Sequence, residues 1–181
     1  EMGDGAYYIK RQIIWLIASW SLLYLAISTN IRNWLKFSGL GVFIGCILIG
    51  ATIVAGSTLN GASRWLIIGP LQMQPSELIK PFVVLQASNL FSHWKQINND
   101  QKLFWLTIFL SVLLLILKQP NLSTAALIGI LLWLMALAAG IRYRSLIGTA
   151  MAGISLGTTS ILLNEYQRLR VVSFLNPWDD P

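Results

Sequence analysis

Six apolar blocks govern what this chain can fold into: about Ile13 to Ser28, Phe37 to Ala55, Leu78 to Phe91, Leu103 to Leu117, Thr124 to Ala139 and Leu146 to Leu163. Each carries little or no charge. A helix crosses the hydrocarbon core of a bilayer with roughly 20 apolar residues, or about 17 at the short end. The blocks therefore read as membrane helices, and the fold class as all-α, a polytopic helical bundle of about six spans. The first, third, fourth and fifth blocks are short for a full span. The neighbouring Trp15, Trp94, Trp105 and Trp133 mark interfaces or tilted, partly shielded helices.

Composition agrees. Of 181 residues, 55% are hydrophobic and 11% charged, and the mean hydropathy is +0.64, outside the proportions of a soluble domain. A formal net charge of +6 would suit nucleic acid if the cations formed a stripe interleaved with exposed aromatics. They sit instead in short loops between apolar blocks, so anionic lipid is the fitting partner and nucleic acid is not. Cys46 is the single cysteine and lies within an apolar block. That excludes an internal disulfide and a cysteine metal site, and it reads as a packing residue. The opening, Glu1 to Tyr8, is acidic and glycine-bearing rather than basic, so it is no signal peptide and reads as an opened loop. Gly41 and Gly45, and likewise Gly153 and Gly157, are four apart, a spacing that lets helix backbones approach in lipid. No repeat or soluble linker divides the chain, so residues 1–181 read as one membrane domain.

Charge does not orient this bundle. If the first helix enters from outside, the inner loops hold six basic residues: Arg32, Lys36, Lys95, Lys102, Arg142 and Arg144. The outer segments hold seven: Lys10, Arg11, Arg64, Lys80, Lys118, Arg168 and Arg170. The positive-inside count is level. Acidic residues are lopsided, with Asp100 alone inside, but acids carry little topological weight.

Three loops carry chemistry. Gly56 to Lys80 is too long and too punctuated for a simple connector. Asn60-Gly61 and Gly69-Pro70 are turn signals, and Gln74-Pro75-Ser76-Glu77 is a helix start, predicting a third helix from about Pro75. Glu77 and Lys80 are three apart on one helix face, so they either pair with each other or face a substrate, and both readings stay open. Ser76 and Lys80 lack the two-residue spacing of an acylating serine and lysine, which excludes a serine nucleophile. His93, beside Trp94 and Lys95, has no carboxylate or hydroxyl partner nearby in sequence and reads as an interfacial polar residue rather than a base. The second loop, Lys118 to Thr124, fits a capped hairpin in which Asn121 or Ser123 satisfies backbone N–H groups. The third, Asn164 to Pro181, opens amphipathically and can lie on the membrane with Arg168 and Arg170 toward phosphates. On one assumed orientation a single face gathers Arg64, Lys80, Lys118, Arg168 and Arg170 with Trp65 and Trp178, which suits an amphiphile bearing a pyrophosphate and a sugar.

The strings NGASRWLIIGPLQMQPSELIKPF, KQPNLSTAAL and RLRVVSFLNPWDDP, in that order, resemble the SEDS (shape, elongation, division and sporulation) family of FtsW, RodA and SpoVE. With GDGAYYIKRQ at Gly3 to Gln12, the resemblance covers essentially the whole chain. It implies a glycosyltransferase that polymerises lipid II, with a class B penicillin-binding protein and other divisome proteins as partners. It also implies a multi-pass protein of the bacterial plasma membrane whose motif loops face the periplasm. Family members typically have ten helices, of which these would be the second to seventh, an internal piece of the fold that is inert alone. The proposed catalytic aspartate would lie beyond Pro181, so Glu77, Asp179 and Asp180 are not promoted to that role. Carried over as substrate-binding are Arg64, Trp65, Glu77, Lys80, Lys118, Arg168 and Arg170. Carried over as structural are Asn60, Gly61, Pro75, Ser76, Pro120, Pro177, Trp178 and Asp180, with Gln74 in the same pocket. The full-length enzyme would need a divalent cation, magnesium or manganese, for which this chain shows no ligand set. Asn121 and Ser123 depart from the Asp and Gly usual in the family, which puts a carboxylate role at that position in doubt. The Asn-Leu-Ser variant, PSELIKPFVVLQA and the text from Leu163 to Arg168 look most like cyanobacterial members of the FtsW branch. Two other function classes suit a polytopic bundle with charges near its outer face: a transporter of lipid-linked precursors and a non-catalytic divisome scaffold.

Overall fold

The computed structural model describes residues 7–59, 62–68 and 71–175. The helices are α1 (Tyr7–Ser28), α2 (Ile31–Ala55), α3 (Pro75–Ser92), α4 (Asn99–Lys118), α5 (Leu122–Ala138), α6 (Tyr143–Leu163) and α7 (Glu165–Leu175). Every apolar block became a helix, and several extend past the block into polar sequence. Four helices are long and apolar enough to cross a membrane by composition alone: α1, α2, α4 and α6. Helix α5, with 17 residues, is shorter, and α3 is diluted by Glu77, Lys80, Gln86 and Asn89.

Local chemistry sets the boundaries. Asn30 Oδ1 accepts from the Arg32 N–H at 3.0 Å and starts α2. Asn121 Oδ1 accepts from the Thr124 N–H at 3.4 Å and starts α5, as the capped-hairpin reading expects. Pro75 opens α3 at the position where its missing N–H costs nothing.

Helix α3 is central. Its buried residues, Pro75, Ser76, Ile79, Val83, Gln86, Ala87, Leu90 and Phe91, recur at helical spacing and pack chiefly on α2 and α5. The core continues through Val42 and Ile49 of α2, Phe109, Val112 and Ile116 of α4, and Ala125 and Ile128 of α5. Gln86 is buried and hydrogen-bonded to Ser38 of α2, and Glu77 pairs with Lys80 at the helix start, so α3 carries polar groups that would be costly unpaired in lipid. Glycine makes the α2–α3 contact close: a Cβ at Gly41 would stand 2.2 Å from the Phe82 ring, and one at Gly45 would stand 2.5 Å from Ile79. The second glycine pair behaves otherwise. Nothing lies within 4 Å of a Cβ built at Gly153, and only Leu122 comes near one at Gly157, at 3.9 Å, so this pair supports no close helix contact among the described residues.

The outer surface is apolar. Side chains such as Ile47, Met151 and Ile154 are exposed along α2 and α6, and α1 is exposed along its length. Lipid is the medium that makes such a surface stable. The protein is a multi-pass helical membrane protein.

The loop after α2 holds more order than turn signals suggest. Strands β1 (Ser57–Leu59), β2 (Ala62–Ile68) and β3 (Leu71–Met73) form a three-stranded antiparallel sheet in sequence order. The all-α reading holds for the spans, and this sheet is an addition to it. Asn60-Gly61 and Gly69-Pro70, read as turns, lie outside the described residues, between the strands.

Candidate functional site

The ends of α2 and α4 meet the starts of α3 and α5 at one end of the bundle, and the polar loop motifs converge there. The Ser76 side chain is fully buried, and its hydroxyl accepts from Gln74 Nε2 at 3.0 Å and Asn121 Nδ2 at 3.4 Å. The second bond joins the first loop motif to the second across 45 residues of sequence. Ser76 is thus a buried hydrogen-bonding node between the two motifs.

A second bridge runs beneath the first. Gln119, fully buried, donates through Nε2 to Thr52 Oγ1 and to the Ile49 carbonyl at 3.3 Å. Thr52 Oγ1 in turn donates to the same carbonyl at 2.7 Å. The turn that carries Lys118 and Pro120 is thereby fixed to the last turns of α2. Polar groups in so apolar a place are stable only when paired, so the network specifies one arrangement of the turn.

The charged candidates stand around this base. Lys80 Nζ lies 2.7 Å from Glu77 Oε2, so the two side chains pair in this structure. Lys118 closes α4 and is exposed, and among the described residues it has no ion-pair partner. Its charge complements the negative end of the α4 dipole. Arg64 and Trp65 lie in β2, with Trp65 half-buried and in register with Ser57. Arg11 Nη2 of α1 donates to Gln72 Oε1 of β3 at 2.8 Å, tying the start of the otherwise exposed α1 to the sheet.

The third motif is placed less closely. Arg168 is exposed on α7, which packs on α6, and Arg170 lies one half-turn further along the same helix. Gln167 between them is buried and accepts from Ser160 Oγ at 2.9 Å. No described contact brings Arg168 to Lys80 or Lys118. Asn60, Gly61, Pro177, Trp178 and Asp180 lie outside the described residues. His93 sits at the opposite end of α3, its Nδ1 3.0 Å from the Asn89 carbonyl and from Ser92 Oγ, so it does have a hydroxyl partner next to it in sequence, contrary to the reading from sequence.

Sequence reasoning passed over Gln119, Thr52 and Arg11. The signal for Gln119 was present, an amide between a lysine and a proline at the end of an apolar block. Nothing local marks Thr52, whose partner is 67 residues away.

The family FTSW_RODA_SPOVE, described as cell cycle protein, matches residues 1–181. The chain belongs to this family. An FtsW of Mesostigma viride is 46% identical over 186 residues, covering 100% of this chain and 44% of the relative. A relative from Synechocystis, whose name is that of a peptidoglycan glycosyltransferase FtsW, is 43% identical and covers 99% of this chain and 46% of its own length. A solved peptidoglycan synthase complex, described as coordinating polymerization and crosslinking, superimposes with a TM-score of 0.72 at 26% identity. That match covers 98% of this chain and 53% of the other. The chain thus spans about half the length of the curated FtsW relatives it matches.

Proposed function

We propose that this chain forms part of a glycosyltransferase of cell division that polymerises lipid II into glycan strands. A sugar hydroxyl of one lipid-linked precursor attacks the anomeric carbon of another. The glycosidic bond forms as the bond to undecaprenyl pyrophosphate breaks, and the hydroxyl proton passes to a general base outside the described residues. The observation that carries the reading is the Asn121 to Ser76 bridge, which brings two family motifs to one end of the bundle. Cations held there favour charge developing on a pyrophosphate leaving group. Lys80 is already paired with Glu77, so Lys118 is the better placed of these two lysines to meet an anion. Arg64, Arg168 and Arg170 complete the proposed set.

In this reading the motif loops face the periplasm, and a class B penicillin-binding protein, with other divisome proteins, is the partner. The synthase complex among the structural neighbours supports a joint assembly. A divalent cation belongs to the proposal for the full-length enzyme. Among the described residues no three His, Cys, Asp or Glu side chains stand together to hold one. The described residues do not fit such a site, and no step is routed through it.

The test is glycan polymer on a gel from the purified full-length protein, its partner, lipid II and divalent cation. Polymer above a no-protein control supports the reading. Lipid II transfer across vesicles without polymer would make the protein a transporter, and neither activity would leave a scaffold.

A further inference from the structure

At the end of the bundle away from Ser76, where α3 stops at Ser92 and α4 begins at Asn99, a cavity of about 580 Å3 opens between α3 and α4. The volume lies within the range of about 300–1,000 Å3 of small-molecule sites. Its deepest polar group is Gln86, only 6% exposed. Ser38 Oγ of α2 donates to Gln86 Oε1 at 2.7 Å, and Gln86 Nε2 has no protein acceptor among the described residues. Nε2 is not among the buried atoms left without a partner, so it opens on the cavity, where a ligand acceptor would take the place of water.

The rest of the lining narrows the ligand. Phe104 and Trp105 supply aromatic walls, and Asn89, His93 and Gln101 supply neutral hydrogen-bonding groups. No Asp, Glu, Lys or Arg is among the lining residues. Lys102 is not part of the lining, and its Nζ is engaged 5.2 Å from the Trp94 ring centre and 3.4 Å from Asn99 Oδ1. A phosphate or carboxylate entering here would lose water with no cation in return. An acyl chain would leave the Gln86 amide unpaired. An uncharged sugar meets both requirements, since its apolar face packs on an aromatic ring while its hydroxyls exchange hydrogen bonds with amides. The cavity sits at a helix–loop boundary flanked by Trp94 and Trp105, the level at which headgroups lie.

We propose that the cavity formed by Gln86, Asn89, His93, Gln101, Phe104 and Trp105 binds the uncharged sugar headgroup of a membrane glycolipid. The proposal does not rest on the glycosyltransferase reading, because it concerns the other end of the molecule and its test measures no polymer.

The experiment places the full-length protein in nanodiscs of phosphatidylcholine containing equal amounts of monogalactosyl diacylglycerol and phosphatidylglycerol. Lipid retained after detergent extraction is quantified by mass spectrometry. Galactolipid should be enriched over both other lipids. The double variant Asn89→Ala, Gln101→Ala, which leaves the Ser38 to Gln86 bond in place, should lower the enrichment about fivefold, as expected for one or two lost hydrogen bonds. Gln86→Leu should lower it further. Where Gln86→Leu does not fold, the double variant decides. Equal retention of phosphatidylglycerol, no galactolipid enrichment, enrichment unchanged in the double variant, or equally effective competition by free methyl galactoside would each overturn the proposal.

Discussion

Gln119 and Arg64 are two polar residues whose tests separate structure from chemistry. Gln119 is buried, and its amide holds Thr52 and the Ile49 carbonyl. Gln119→Leu and Thr52→Val should each lower thermal stability in detergent by about 1–3 kcal/mol. Their double variant should reveal a coupling of about 0.5–3 kcal/mol. Additive losses would mean that the two side chains do not act as a bridge. Arg64 lies beside Trp65 in β2, with no need of a guanidinium to span a membrane. In the full-length parent, Arg64→Ala should lower polymerisation far more than it lowers folded protein. The loss should correspond to about 2–4 kcal/mol, or roughly 30- to 1,000-fold in rate, if the residue meets a phosphate in the transition state. A surface arginine without that role changes stability by about half a kcal/mol or less. Measuring turnover and stability for Arg64→Ala, Arg64→Lys and Glu77→Gln together decides the matter. Activity falling only in step with stability in all three would make the loop structural.

Among the elements, α2 and α3 make the most extensive helix contact, and glycine sets its spacing. Gly41→Ala should destabilise the protein by about 1–3 kcal/mol, because the new methyl group would press on the ring of Phe82, which is wedged against Trp34. Gly153→Ala, with open space around it in this structure, should be neutral or slightly stabilising. Thermal melts of the two variants in the same detergent compare them directly. Equal destabilisation would mean that the close α2–α3 approach is not what Gly41 provides. The β1–β3 sheet is the second element to note. Asn-Gly between short strands and the β-prone run Arg64-Trp65-Leu66-Ile67-Ile68 were legible as a hairpin. Turn signals alone do not call for strands, because a turn can equally join irregular segments.

For the whole molecule, topology is the property that charge counting left level. Helices α1 to α6, with α7 beyond them, put the sheet and the α4–α5 turn on one side and the α3–α4 connection on the other, and the proposed orientation makes the first side periplasmic. Ser63→Cys and Asn98→Cys in a Cys46→Ala background, treated with an impermeant maleimide in intact spheroplasts, read this out. Label should enter at Ser63→Cys and not at Asn98→Cys. The reverse pattern would invert the bundle.

The sequence by itself determined that the chain is a bundle of membrane helices, because a run of apolar residues in lipid must pair its own backbone and a helix does so within the segment. It also determined where α3 and α5 begin, since proline and an asparagine cap act over three or four residues. Only the tertiary structure decided which candidates share a site. The meeting of Asn121 with Ser76 and of Gln119 with Thr52 depends on how α2, α3, α4 and α5 pack, across 45 and 67 residues of chain. The Glu77–Lys80 pair is local, three residues apart on one helix, but the same packing made Gly41, and not Gly153, a point of close helix contact. Such pairings follow from shape complementarity between helix faces, and no local pattern of residues encodes that complementarity.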